Sequence, residues 1–167
     1  IQKYKDMGNE VHWLILTKAN QKITSIPDIG KKQKEDVIKV ADQYGFDSWQ
    51  QLDFLTTELD RYALGELVSA ISTVIHNIAP HYIYLNHFAD VHSDHRIAFD
   101  AVYSCTKNFR YPFIEKILLY ETLSETEFAP PSPSHVFIPN VFNDVTKYMD
   151  KKLQTMKLYT TEQMDEP

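Results

Sequence analysis

"YIYLNHFADVHSDHRIAFDAV", residues 82–102, runs from a short apolar and aromatic stretch through a polar loop into an apolar repeat at helical spacing. "YIYL" (82–85) reads as a short strand. The loop carries His87, Asp90, His92, Asp94 and His95, and over about 94–107 Ile97, Ala98, Ala101 and Val102 share one helical face. A strand that ends in a polar loop and restarts as a helix is the repeating unit of parallel α/β sheets. In such sheets ligands gather beyond the carboxyl ends of the strands, where 86–95 would lie.

The same alternation extends in both directions. Upstream, Leu64, Leu67, Val68, Ile71, Val74, Ile75 and Ile78 give the clearest helix, over 63–78, and Pro80 stops it. "EVHWLILT" (10–17) is a largely buried strand, and Val37, Ile38, Val40 and Ala41 mark a helix over 31–44 that ends at Gly45. "IQKYKDMG" (1–8) reads as the last turns of a helix closed by Gly8, and "FDSWQQLDFLTTELD" (46–60) as a region holding a short strand or turn. Downstream, "KILLYE" (116–121) is a strand, "FAPPSPSH" (128–135) a surface connection, and 145–159 a helix with Val145, Tyr148, Met149, Leu153 and Met156 on one face. The pattern predicts a single domain over 1–167, built as a three-layer α/β/α sandwich around a mainly parallel, Rossmann-like sheet.

Composition narrows the function. The chain has 167 residues, is 43% hydrophobic and carries a formal net charge of −6. Its scattered Lys and Arg build no positive stripe for a phosphate backbone, which argues against nucleic acid as a partner. No apolar run approaches the roughly 20 residues of a membrane span, and the first residues lack a signal-peptide pattern, so a cytoplasmic location is expected. The single cysteine, Cys105, excludes an internal disulfide and a multi-cysteine zinc site. Any bound metal would therefore take His and carboxylate ligands.

His92, Asp94 and His95 form an H-x-D-H cluster at the strand-to-helix junction. Residues of the last loop turn and the first helical turn can converge on one point, and the helix N-terminus favours negative charge there. An imidazole can ligate zinc, a second can donate to a developing oxyanion, and an aspartate can fix a ring tautomer. The spacing is equally compatible with Asp94 as a helix N-cap and two solvated histidines. Catalytic zinc usually takes three protein ligands, so the cluster does not make a complete site.

With its neighbours in order, "IYLNHFADVHSDHRIAFDAV" resembles the second signature of the PIG-L/LmbE-like family of zinc-dependent N-acetyl-sugar deacetylases. The flanking segments "ELVSAISTVIHNIAP", "KILLYETLSETEF" and "FIPNVFNDVTKYMDKKLQTMKLYTTEQ" extend the resemblance over essentially the whole chain. It implies an LmbE-like fold and hydrolysis of the acetamide of an N-acetylated sugar or sugar conjugate. It also implies one zinc ion, with His95 as a ligand, protonated His92 stabilising the oxyanion or shuttling a proton, and Asp94 orienting a histidine. Iron or cobalt would suit the same donors. Family members usually begin with H-P-D-D-E, which supplies a ligating His, a ligating Asp and the general-base Asp. No such stretch occurs here, so the resemblance implies an LmbE-like domain incomplete at both ends, inactive by itself and active in a longer form.

Other polar residues are weaker candidates for substrate binding: His87 and Asp90 in the loop, Glu121 (with Glu125) in "YETLSETEF", and Lys32. Lys32 and Glu35 stand where the family often has R-x-x-E, and lysine lacks the planar fork of arginine. Thr56 and Thr57 replace an Asp-Gly often found before the third helix. His12, His76, His81 and His135 read as structural, Trp13 as core, and Trp49 as core or a sugar platform. A second function class stays open, a non-catalytic carbohydrate-binding or assembly protein of the same fold. Exposed edges and aromatics are compatible with a homo-oligomer.

Overall fold

The structure is a computed structural model, and residues 1–160 are described. In chain order the elements are α1 (Gln2–Asp6), β1 (His12–Lys18), α2 (Ile29–Tyr44), β2 (Ser48–Leu55), α3 (Leu64–Ile78), β3 (Tyr82–Asn86), α4 (Ser93–Ser104), β4 (Lys116–Tyr120) and α5 (Met149–Met156). The chain divides into two compact units, one of residues 1–55 with the C-terminal segment from 141, the other of residues 56–140. Every strand pair is parallel, and the strands pair two by two, β1 with β2 and β3 with β4.

In the first unit β1 and β2 run in register from His12↔Ser48 to Lys18↔Leu55, with an irregularity between Ile15 and Thr17. The region 46–60, ambiguous in sequence, contains this full eight-residue strand, which makes the alternation of helix and strand strict from α1 to β4. Polar residues inside β2 hid it. Gln51 occupies a half-buried position because its amide Nε2 donates to the Thr17 carbonyl at 2.9 Å and to Gln33 Oε1 at 3.1 Å. The helix α2 ends at Gly45, whose φ of +67° closes the last turn with an N–H to the Ala41 carbonyl at 2.9 Å. Ile29, Val37, Val40 and Ala41 form its buried face. Ile38, expected on that face, is exposed. Trp13 stacks on Phe46 with centroids 5.3 Å apart, and Trp49 is half-buried on β2.

The predicted C-terminal helix is shorter than its pattern suggested. A 3-10 turn, Thr146–Tyr148, precedes α5, and the segment is tied back to α1 by Lys147 Nζ and Tyr148 Oη on Asp6 Oδ2 at 3.1 and 2.8 Å. Buried Asp36 accepts the Thr160 N–H at 2.7 Å.

In the second unit α3 buries Leu67, Ile71, Val74 and Ile75, while α4 buries Ala101 and Val102 beside Cys105. Leu67 and Ile71 are completely removed from solvent, a gain of about 2–3 kcal/mol each by area. β3 and β4 pair without a slip from Tyr82↔Lys116 to Asn86↔Tyr120. Their carboxyl ends therefore finish side by side, and the loops that follow both strands start from one edge. Among the described residues no helix is long and apolar enough to cross a membrane.

Candidate active site

The loop after β3 is built from its backbone outward. Asn86, the last residue of the strand, is buried, and its Nδ2 donates to the carbonyls of His87 at 3.0 Å and His95 at 2.9 Å. One side-chain amide thus ties the strand end to the first turn of α4. Arg96 adds donors to the carbonyls of Asp90 and Val91. The loop is held at both ends and its middle, which fixes the side chains it carries.

His92 is the N-cap of α4. Its Nδ1 accepts the Asp94 N–H at 3.1 Å, and its own N–H donates to Glu125 Oε2 at 3.0 Å. A nitrogen that accepts carries no proton, so His92 is a neutral ring with its N–H on Nε2. The alternative sequence reading had Asp94 as the cap, and the structure gives that place to His92.

His95 lies one turn position further. Its Nδ1 sits 2.9 Å from Asp90 Oδ2, and Asp90 Oδ1 accepts the Thr126 hydroxyl at 2.7 Å. An ionised carboxylate only accepts, so Nδ1 of His95 carries a proton, and the ring in its neutral form has its lone pair on Nε2. The Asp90 side chain is fully buried, whereas that of His95 is 32% exposed. The two imidazoles, with centroids 5.2 Å apart, therefore offer complementary chemistry: an N–H donor on His92 and a lone pair on His95.

Asp94 orients neither ring in this arrangement. Its Oδ2 accepts the Thr57 N–H at 2.5 Å and its Oδ1 the Leu59 N–H at 3.2 Å, so it fastens the 57–59 turn to the first turn of α4. The orienting role expected of Asp94 falls to Asp90, which the sequence reading had placed among pocket-lining residues. His87 is also interior. Only 3% exposed, it donates from Nε2 to the His135 carbonyl at 3.0 Å between the rings of Phe88 and Phe137. Glu121 is exposed just past β4, and Lys32 is exposed on α2 in the first unit. Thr126 escaped the sequence reading, because a threonine within "TLSETEF" gives no sign that its hydroxyl will be buried against a carboxylate.

The donor set bears on the implied zinc. A histidine whose Nδ1–H is held by a carboxylate is the usual arrangement of a metal ligand, so His95 fits one position. Among the described residues no group of three or more His, Cys, Asp or Glu side chains is placed to hold a metal ion.

Residues 1–106 match the family model described as PIG-L, GlcNAc-PI de-N-acetylase. No curated protein sequence matches the chain. Among solved structures, a conserved protein from Thermus thermophilus aligns with a TM-score of 0.70 at 15% identity, covering 96% of this chain and 70% of the other. The 4-carboxy-2-hydroxymuconate hydratase GalB from Pseudomonas putida aligns with a TM-score of 0.66 at 17% identity, covering 96% and 71%. The N,N'-diacetylchitobiose deacetylase from Pyrococcus horikoshii aligns with a TM-score of 0.70 at 17% identity, covering 98% of this chain and 64% of that one. These likenesses establish the α/β fold with its parallel strands, and the fold accommodates both a hydratase and a deacetylase.

Proposed function

The chain belongs to the PIG-L family, and from that membership we propose that it forms part of a metal-dependent deacetylase that hydrolyses the acetamide of an N-acetylated sugar or sugar conjugate. The observation that carries the proposal is the Asp90–His95 pair beside His92 at the start of α4. Its chemistry suits addition of water to a carbonyl.

His95, its Nδ1–H anchored on Asp90, would hold a divalent ion, zinc by family membership, through Nε2. When bound, such an ion supplies Lewis acidity and lowers the pKa of water toward about 7. His92 directs its Nε2–H at the acetamide oxygen and stabilises the charge that develops there when water adds. Asn86 ties the end of β3 to the first turn of α4 through the His95 carbonyl. Acetate and a free amino sugar are the products.

A cytoplasmic setting accords with the single free cysteine. The hydratase neighbour shows that the fold alone does not choose the reaction. The test is acetate release from small N-acetyl sugars by the whole enzyme of which the chain forms part, with and without added zinc, alongside its metal content by elemental mass spectrometry. Zinc-dependent release supports the proposal. Metal binding without acetate release from any N-acetyl sugar overturns the deacetylase assignment, and the absence of bound metal overturns the whole reading.

A further inference from the structure

We infer that Thr126 is a positioning residue for His95, acting through Asp90 to determine which ring nitrogen of His95 is left free; the inference rests on the reading of His95 as a working imidazole. With Asp90 as a carboxylate, each hydrogen bond in the chain of contacts has one direction. The Thr122 backbone N–H lies 2.8 Å from Thr126 Oγ1 and can only donate, so the hydroxyl accepts there. Its single proton is then left for Asp90 Oδ1 at 2.7 Å. Asp90 is held as an acceptor, and its other oxygen takes the proton of His95 Nδ1 at 2.9 Å.

Thr126 is 6% exposed and Asp90 is 0% exposed, so water does not substitute readily for either contact. Residues 122–126 close on themselves through the Thr126 N–H to the Thr122 carbonyl at 2.9 Å, and Glu125 receives the N–H groups of Val91 and His92. The turn after β4 thus grips the loop after β3 at three consecutive functional points, residues 90, 91 and 92.

Removing the hydroxyl at constant shape leaves Asp90 Oδ1 buried without a donor. The carboxyl then gains by rotating toward another donor, and that change loosens its hold on His95 Nδ1. Imidazole free in water prefers its proton on Nε2, so the released ring moves toward that tautomer and loses the outward lone pair.

The test is the tautomer of His95 in the metal-free protein, read from long-range proton–nitrogen correlations of 15N-histidine-labelled samples. Wild type should show Nδ1–H. Thr126→Val should lower the ratio of Nδ1–H to Nε2–H about tenfold, and Thr126→Ser, which keeps the hydroxyl, should restore it. Asp90→Asn gives a second arm. The Thr126 hydroxyl would claim the amide oxygen, turn the amide N–H toward His95 and force the Nε2–H tautomer. An unchanged wild-type tautomer in Thr126→Val overturns the inference; should that variant not fold, retention of Nδ1–H in Asp90→Asn does so. This readout is independent of acetate release, so failure of the deacetylase assignment and failure of the positioning role are distinguishable.

Discussion

The carboxylate of Asp94 holds the backbone N–H of Thr57 at 2.5 Å, and Thr57 sits at φ +64°. A β-branched residue in the left-handed region is strained, and here the strain lies at the contact that anchors the first turn of α4. Glycine meets this backbone requirement without a Cβ. Thr57→Gly should leave the Asp94 contact intact and raise stability by about 1 kcal/mol. Urea unfolding measures it, and a loss of stability would show that the threonine side chain makes compensating contacts.

Asp94→Ala removes the acceptor of two backbone N–H groups, those of Thr57 and Leu59. A cost of about 2–3 kcal/mol is expected. In the folded variant the His95 tautomer should be unchanged, because Asp90 sets it. A variant that shifts the tautomer while keeping its stability would return the orienting role to Asp94.

His92 serves both as helix cap and as Nε2–H donor, and two substitutions separate these tasks. His92→Asn keeps a capping oxygen but removes the ring donor, whereas His92→Ala removes both. Under the deacetylase reading both should lower kcat by about 10²–10³-fold with little change in KM. Only the alanine variant should also lose about 1 kcal/mol of stability. Equal activity of His92→Asn and wild type would exclude the donor role.

In the first unit, hydrogen bonds from Tyr148 and Lys147 hold the Asp6 carboxyl below its ordinary 3.8, and the Asp6 carboxylate holds Lys147 above its ordinary 10.5. A depressed acid contributes stability fully above its unfolded value and loses it as pH falls through the lower native value. A raised base contributes fully below its unfolded value and loses it as pH rises through the higher native one. The tie between α1 and the segment before α5 should therefore be intact from about pH 4 to 10.5 and weaken outside that window. The groups are exposed, so added salt should weaken the tie throughout. The titration of the Asp6 carboxyl carbon by NMR checks this, and a midpoint at or above the ordinary value would contradict it.

Cys105 is fully buried, its Sγ donating to the Val68 carbonyl, and burial pushes its thiol above the ordinary value. It should resist a thiol reagent at neutral pH in the native protein and react promptly in denaturant. Fast labelling of native protein would reveal opening of the α3 and α4 packing.

The apolar periodicities of 63–78 and 94–107 carried enough information to place α3 and α4, because helix packing needs a continuous apolar face and leaves its mark every third or fourth residue. β2 left a weaker mark. Its Gln50, Gln51 and Asp53 break the apolar run, and Gln51 is tolerated only because Thr17 and Gln33, distant in sequence, accept its protons. The H-x-D-H spacing located the functional loop, but could not assign its members.

What the sequence by itself determined, then, is the order of helices and strands apart from β2, the parallel α/β class, the family, and the loop in which His92 and His95 sit. These follow from local periodicity and from residues near one another in the chain. Only the tertiary structure decided that Asp90 and not Asp94 orients His95, that His92 is a neutral cap, and that Thr126 completes the line of hydrogen bonds. Each of those assignments depends on which buried donor meets which acceptor, and partners such as Thr57 with Asp94 or Thr126 with Asp90, 37 and 36 residues apart, are matched only when folding removes the water that would otherwise serve every one of them.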